Sequence, residues 1–208
     1  MGIAERRQSE KNARIKRILD SAAVIFRKKG FRDATIENIA AHAQISKGII
    51  YHYFKSKADL YFCLVQPPLD DLIKRLKNIA KDKLDRPDNK INRHAQAVFE
   101  FYIKNRDAYD LLTKYNEEEY SKLLPEERLL VFKRMMRDGT GQVEASIKEG
   151  VAQGIFKDIN SYAAAVIFWS VFIGMMQFHE NRMTQGKKDY REESLKYIQI
   201  IIDGLKRK

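Results

Sequence analysis

The 208-residue sequence has little cysteine and no long uninterrupted hydrophobic run. Its single cysteine, Cys63, excludes a disulfide framework and any cysteine-rich zinc site, and it suits a reducing cytoplasm. The most apolar stretch, 163–178, is interrupted by Ser170, Gly174 and Gln177 and is shorter than the roughly 20 residues that a membrane span needs. The polar, basic N-terminus has no apolar signal-peptide core. These absences predict a cytoplasmic protein without membrane association.

The sequence also has few acidic residues relative to basic ones. It contains 39 Lys and Arg against 28 Asp and Glu, a formal net charge of +11. Residues 1–65 hold 13 of the basic and only 6 of the acidic side chains. An excess of this kind favours a polyanionic partner, such as nucleic acid or an anionic membrane surface. We therefore expect the N-terminal third to contact a polyanion.

Motifs for catalysis or metal binding are absent as well. The four histidines, at 42, 52, 94 and 179, show no His-x-x-x-His or Cys-His spacing. There is no Gly-rich phosphate loop, no Gly-x-Ser-x-Gly and no recognisable pair of catalytic carboxylates. The sequence thus predicts a non-enzymatic protein with no metal site or cofactor. The enzyme alternative would require a polar cluster between residues 95 and 180.

Apolar residues recur at spacings of three and four along nearly the whole chain, and this pattern predicts an all-α fold. Pro67 and Pro68 cannot donate backbone hydrogen bonds, so we expect the helix to break or kink near Gln66 and a boundary between functional regions there. The predicted domains are residues 1–65 and 66–208. Beyond the boundary, helices are predicted near 69–84, 89–105, 107–116, 125–153, 160–182 and 190–206.

The N-terminal domain has the pattern of a DNA reader. Its first helix is predicted from about 12 to 29, where Gly30 supplies a left-handed C-cap. Thr35 and Ser46 are the predicted N-caps of two short helices separated by a three-residue turn. Helix, short turn and helix in the most basic part of the chain are typical of a helix-turn-helix motif, here about 35–54.

The third helix is expected to leave one face free for DNA. At 100° per residue, Ile50 points into the protein while His52 points to the opposite side. Lysines near helix starts suit phosphates and guanine edges. The predicted base-reading face consists of Gly48, Ile49, Tyr51 and His52, with Lys47, Lys55 and Lys57 as the accompanying cations.

The segments Thr35-Ile-Glu-Asn-Ile-Ala and Ile45-Ser-Lys-Gly-Ile-Ile-Tyr-His-Tyr-Phe-Lys-Ser-Lys-Ala-Asp-Leu60 closely resemble the DNA-binding domain of the TetR family of bacterial transcription regulators. The resemblance covers about residues 10–65 and implies that the third helix enters the major groove. Two positions depart from the family pattern: Gln44 replaces a turn glycine, and Ile49 replaces a small polar residue and favours contact with a thymine methyl group. By resemblance, the other DNA-binding residues are Thr35, Ser46, Lys47, Gly48, Tyr51, His52, Tyr53 and Lys57.

Several of these residues have a second interpretation. Tyr51 and Tyr53 can also be packing residues. Thr35 and Ser46 can also be helix caps without any phosphate contact. For the basic N-terminus, both a minor-groove arm and a disordered solubilising tail remain open, and the residues concerned are Arg6, Arg7, Lys11 and Arg14.

The predicted helix at 160–182 is apolar nearly all round, so it needs burial on more than one side. Small residues on it allow a second helix to approach closely, and the last helix has a matching apolar stripe. Paired with their copies by a two-fold axis, the two helices would form a four-helix dimer interface; the alternative is that both are core helices of a monomer. The predicted interface residues are Val166, Ser170, Gly174, Leu195, Ile198 and Ile202.

The middle helices mix aromatic residues and methionines with hydroxyl groups. In the family that the chain resembles, this region encloses a small-molecule inducer, and the set suggests a largely apolar ligand. Core packing is the alternative for each residue, since methionine also fills irregular cores. The candidates are Phe99, Tyr102, Tyr109, Leu112, Tyr115, Met135, Phe168, Trp169, Phe172 and Met176.

These features together predict a cytoplasmic, homodimeric, TetR-like transcription regulator. We expect a repressor that a small, largely apolar inducer releases from double-stranded operator DNA. The alternative from another class is a basic, non-sequence-specific protein that binds nucleic acid or a membrane surface. The free face of the third helix favours the sequence-specific regulator.

Overall fold

The computed structural model describes residues 2–106, 108, 122–182 and 191–207. Within these ranges every regular element is a helix, apart from an isolated antiparallel bridge between Phe156 and Lys206. The predicted all-α fold is therefore confirmed. The helices are α1 (Ile3–Asp33), α2 (Ile36–Ala43), α3 (Lys47–Tyr53), α4 (Lys57–Lys81), α5 (Pro87–Lys104), α6 (Glu126–Ala152), α7 (Ser161–Arg182) and α8 (Arg191–Leu205).

The described residues form two compact units. The first unit consists of 2–67 and 122–131, and α4 and α6 each contribute residues to both units. No sequence pattern indicated that the start of α6 groups with the N-terminal helices. The second unit consists of 68–106, 108, 132–182 and 191–207.

The first unit is built on the apolar sides of α1, α2 and α3. Ile18, Ile39 and Ile50, one from each of these helices, have no exposed surface. They lie at the spacings that the sequence predicted, because the apolar stripe of each helix can be buried only against the other two. The other buried residues of this core include Ala22, Phe26, Ile36, Ala40, Ala43 and Phe54.

α1 is longer than predicted at its start, since it begins at Ile3 rather than near residue 12. A kink at Gly30 interrupts it at the predicted C-cap, and a short last turn then reaches Asp33. Gly30 has φ 74° and ψ 169°, so the positive φ expected of a C-cap is present, but ψ lies outside the left-handed helical region. Essentially only glycine adopts this conformation. The chain changes direction there, and the Phe31 ring packs 4.9 Å from that of Tyr61.

α4 continues through Pro67 and Pro68, so of the predicted break or kink near Gln66 the break is wrong. Neither proline can donate the N–H that a helix directs to the carbonyl four residues earlier. Val65 and Leu69, which flank the two prolines, are almost completely buried. Burial on both sides of the prolines offsets the two missing hydrogen bonds and keeps the helix in one piece.

The second unit has its own core, formed by α5, α6, α7 and α8. Gly150 of α6 allows Phe156 to pack directly on the helix backbone, since a Cβ at residue 150 would collide with the Phe156 ring. α6 is continuous from Glu126 to Ala152, close to its predicted range of 125–153. The core residues are Ile91, Ala95, Val143, Ile147, Phe156, Ala164, Ala165, Phe168, Ile198 and Ile202.

Candidate nucleic-acid interface

Of the two predicted N-caps in the helix-turn-helix, Thr35 makes a side-chain capping bond, whereas Ser46 precedes α3 but its side chain makes none. The Thr35 hydroxyl oxygen accepts a hydrogen bond from the Asn38 backbone N–H at 3.2 Å, which confirms Thr35 as the cap of α2. Gln44 follows α2 with φ 55° and ψ 45°, a left-handed conformation that costs a non-glycine residue about 1–2 kcal/mol. The Ile45 N–H then bonds to the Ala40 carbonyl at 3.1 Å and sets the entry into α3.

α3 presents one free face. Ile50 has no exposed surface, whereas Tyr51 is 54% exposed and His52 is also exposed. A Cβ at Gly48 would meet only the Ser46 hydroxyl oxygen, at 3.9 Å, so packing within the protein does not require this glycine. Its lack of a side chain instead leaves the helix backbone open to close approach from outside. The predicted DNA-binding residues on α3 and its cap divide into exposed Ser46, Lys47, Gly48, Tyr51 and His52 and half-buried Ile49 and Tyr53.

Lys47, at the start of α3, forms an ion pair with Glu37 of α2, with Nζ 2.9 Å from Oε1. Their hydrogen bond lowers the pKa of Glu37 and raises the pKa of Lys47. Both side chains are more than half exposed, so water screens the pair and it adds little to stability. Lys47 is therefore free to exchange Glu37 for a phosphate.

Lys57 occupies a different environment from the one the sequence predicted. Its ammonium donates hydrogen bonds to the carbonyls of Phe31, Arg32 and Ala34, at 2.7, 3.1 and 2.8 Å. It also lies 4.6 Å from the centre of the Phe31 ring, and burial lowers its pKa. All three of its N–H donors are used within the unit. Lys57 thus joins the end of α1 to α2 and α4, and the phosphate contact predicted for it stays a prediction.

Two ion pairs connect the start of α4 with the first turn of α6. Lys55 Nζ lies 2.9 Å from Glu127 Oε1, and Arg128 Nε lies 2.9 Å from Asp59 Oδ1. Asp59 is almost fully buried; its second oxygen accepts the Lys55 backbone N–H at 2.8 Å, and its own N–H bonds to the Ser56 hydroxyl. Sequence reasoning missed this contact because 69 residues separate Asp59 from Arg128, and no local pattern relates them.

The predicted effector residues of the second unit are mainly interior. Trp169 is half-buried near Gly139 and Ile73. Its indole nitrogen is shielded from solvent and has no hydrogen-bond partner within the described residues. The other described candidates, Phe99, Tyr102, Met135, Phe168, Phe172 and Met176, are all buried. Tyr109, Leu112 and Tyr115 lie outside the described residues.

Two buried polar contacts that the sequence did not reveal link α5 to α6. Lys90, 1% exposed, pairs with Glu149 at 2.6 Å. His94 Nε2 lies 2.9 Å from the Ser146 hydroxyl oxygen, which also lies 3.3 Å from the Gln142 carbonyl oxygen. Burial, followed by nearby cations, lowers the pKa of His94 to about 3. The described part of the chain holds no cluster of His, Cys, Asp or Glu suited to a metal ion.

The predicted dimer residues separate into two groups. Val166, Ser170 and Gly174 are exposed on one side of α7. Ile198 and Ile202 have no exposed surface and belong to the core of the second unit, so the prediction is wrong for these two; Leu195 is half-buried. Over residues 162–178, where the structure describes the side chains, the exposed side of α7 carries no charge and consists of Tyr162, Ala163, Val166, Ile167, Ser170, Gly174, Gln177 and Phe178.

α7 is also the one helix among the described residues that is long and apolar enough to cross a membrane. The stretch concerned is Ser161–Phe178, of which 33% is buried. Length and composition alone do not distinguish a membrane span from the core helix of a soluble protein, since both are apolar.

Known proteins share both the sequence pattern and the geometry of the N-terminal helices. Residues 18–63 match the family described as bacterial regulatory proteins, tetR family. Over 203 residues the chain is 27% identical to the HTH-type transcriptional repressor KstR2 of Rhodococcus jostii, covering 95% of this chain and 93% of that one. It is 32% identical over 106 residues to the uncharacterized HTH-type regulator YerO of Bacillus subtilis, covering 50% of this chain and 37% of YerO.

Solved structures share the complete fold. A regulator of the TetR/AcrR family from Thermobifida fusca is 25% identical, with a TM-score of 0.73 and coverage of 94% of this chain and 100% of that one. The regulator FadR from Bacillus subtilis, in complex with stearoyl-CoA, is 17% identical, with a TM-score of 0.70 and coverage of 91% and 98%. The helix-turn-helix and the helical C-terminal region therefore occur together in these proteins.

Proposed function

Because the chain belongs to the TetR family of bacterial regulatory proteins, we propose that it represses transcription by placing α3 in the major groove of an operator. The observation that carries this proposal is the face of α3 opposite the buried Ile50. There Tyr51 and His52 offer hydrogen-bonding groups, Gly48 allows close approach, and Lys47 supplies a cation for the phosphate backbone.

Base contacts and phosphate contacts predict different mutational effects. We expect His52→Ala to change the preference among operator sequences, by about 1–3 kcal/mol for each lost base contact. Lys47→Ala should weaken binding to operator and random DNA by the same factor, because phosphates carry no sequence information. The matched control is His42→Ala, which removes an exposed histidine from α2 rather than α3.

The experiment selects operator fragments from genomic DNA and compares their affinity with that of random duplexes of equal length. A wild-type protein that shows no preference between the two would contradict sequence-specific repression. It would favour the alternative of a basic, non-specific nucleic-acid binder. Equal losses on operator and random DNA for His52→Ala would show that α3 does not read bases through this residue.

A small apolar effector is the second part of the proposal. Trp169 carries a buried N–H without a partner in the described residues, and a ligand oxygen at this position would remove the cost of about 1–3 kcal/mol that such a group imposes. The other described candidates are buried and are aromatic or sulfur-containing. The B. subtilis FadR structure contains stearoyl-CoA, so a long apolar chain with polar acceptors is the ligand class that we propose.

Trp169 is the only tryptophan, so its fluorescence can report an effector directly. Stearoyl-CoA is the first probe, titrated with and without operator DNA. A coupling of about 1–3 kcal/mol would weaken both interactions by the same factor, roughly 5- to 150-fold. Equal stearoyl-CoA affinity in the two titrations would rule this molecule out as the inducer. Calorimetry on Trp169→Phe then tests the hydrogen bond, because phenylalanine keeps the ring but has no donor.

The same proposal includes a cytoplasmic homodimer. The uncharged exposed side of α7 has apolar residues around Ser170 and Gly174, which are small enough to admit a second helix. A two-fold axis would bring the same face of another protomer against it. Two protomers would then present two α3 helices to successive half-sites of the operator.

A further inference from the structure

The first half of α1 extends beyond the core of the first unit. Ile18 is the first residue of α1 without exposed surface, and residues 4–14 are all exposed. Local hydrogen bonds stabilise this segment: Gly2 N–H to Glu5 at 2.9 Å and Arg6 to Glu10 at 3.1 Å, with a further bond from Gln8 to Asn12. Such pairs favour a helix that is polar all round. The result is a helical segment roughly 20 Å long rather than a disordered tail.

One side of this segment is cationic. Arg7, Lys11 and Arg14 recur at helical spacing, and we call them the α1 stripe. At 100° per residue the α1 stripe lies on the same side of the helix as Ile18 and Ile25, which are buried where α1 packs in the first unit. The side of α1 that faces the helix-turn-helix core thus changes from apolar to cationic towards the N-terminus.

The α1 stripe differs from the neighbouring cations in its partners. Arg6 pairs with Glu10, and Lys16 pairs with Asp20 at 2.7 Å. Within the described residues no ion pair or hydrogen bond joins a stripe side chain to an acidic group. Three exposed, uncompensated charges on one side of a helix are complementary to a polyanion.

We propose that the α1 stripe binds phosphates of the same DNA duplex whose bases α3 reads. This inference rests on the proposed function, since it takes the duplex as the partner. From residue 7 to residue 14 the helix rises about 10 Å, comparable to three phosphate steps at about 3.4 Å per strand. The α1 stripe therefore adds a sequence-independent anchor in the unit that contains α3.

The test compares two triple variants that lose the same charge. One is Arg7→Gln, Lys11→Gln and Arg14→Gln, which removes the α1 stripe. The matched control is Arg6→Gln, Lys16→Gln and Arg17→Gln, which removes three cations of the same segment that lie on other sides of α1. Circular dichroism and urea unfolding establish that both variants retain the fold, because all six positions are exposed.

DNA affinity is then measured against salt concentration on selected operator and random duplexes. We expect the stripe variant to lose roughly tenfold or more in affinity, and the slope of log affinity against log salt to become shallower by about 2.7 per bound protomer. The loss should be the same on both duplexes, and the control should lose much less. Equal losses of affinity for the two triple variants would contradict the proposal, because the loss of three positive charges anywhere on α1 would then explain the weaker DNA binding.

A second variant tests the helical arrangement. Ala13→Pro keeps every cation but disrupts the helix inside the α1 stripe, between Lys11 and Arg14. We expect it to reproduce most of the affinity loss, and unchanged binding would overturn a rigid stripe. Loss of binding to anionic phospholipid vesicles, with DNA binding intact in the stripe variant, would assign the stripe to a membrane surface instead. Failure of the proposed function is a separate result: the wild type would bind operator and random DNA equally.

Discussion

A lysine ammonium has three N–H donors, and Lys57 directs all of them to carbonyls at the junction of α1 and α2. We therefore expect Lys57→Met to lower the free energy of unfolding by about 1–3 kcal/mol, because the partly buried carbonyls of Phe31 and Ala34 lose their partner. Lys55→Met is the control, since its pair with Glu127 is exposed and should contribute under about 1 kcal/mol. Urea unfolding measures both. If Lys57→Met kept its stability but lost DNA affinity, the result would instead support the predicted contact between Lys57 and a phosphate.

Gln44 is the one non-glycine residue with positive φ in the described part of the chain. A glycine there would remove the left-handed cost of about 1–2 kcal/mol, while its greater freedom in the unfolded state returns part of that gain. We expect Gln44→Gly to raise the free energy of unfolding by up to about 1 kcal/mol. Urea denaturation at one pH provides the measurement. A loss of stability would mean that the Gln44 side chain makes a compensating contact.

Between elements, the burial of His94 of α5 against α6 makes stability depend on pH. The pKa of His94 is lowered from 6.5 to about 3, so below pH 6.5 the unfolded chain binds a proton that the folded protein does not. Stability therefore falls on acidification from about pH 6.5 towards pH 3, by at most about 1.4 kcal/mol per pH unit.

His94→Gln tests this dependence, because glutamine keeps an N–H donor but does not titrate. We expect the difference in unfolding free energy between wild type and variant to change by about 2 kcal/mol between pH 6.5 and pH 5, in favour of the variant. Urea unfolding at several pH values measures it, with the other titrating groups common to both proteins. A difference that stays constant over this range would place the His94 pKa near its ordinary value.

For the whole molecule, the uncharged side of α7 determines the expected oligomeric state. Val166→Arg would put a charge into the proposed contact between two copies, and we expect it to convert dimers to monomers at micromolar concentration. Leu130→Arg is the control, because it introduces the same side chain at an exposed apolar position of α6. Analytical ultracentrifugation distinguishes the two species. A wild-type monomer, or a Val166→Arg dimer, would contradict the α7 interface.

Local sequence was sufficient for the helix-turn-helix. The spacing of Ile39 and Ile50 indicates the buried sides of α2 and α3, and Thr35 marks the start of α2 because a hydroxyl caps a helix three residues away. The exposed side of α3 follows from the same periodicity, since a helix seven residues long has room for only one buried face. These features depend on residues within one or two turns of each other, so a single sequence contains them.

Only the tertiary structure decided what those elements pack against. The sequence predicted a break or kink near Gln66, but burial of Val65 and Leu69 keeps α4 continuous. Lys57 has the same local pattern as a phosphate-binding lysine, yet it caps carbonyls 23 to 26 residues away. Periodicity also indicated that Ile198 is apolar and inward, but not whether its partner is its own protomer or a second one. Long-range partners depend on which surfaces meet in three dimensions, and spacing along the chain does not specify that choice.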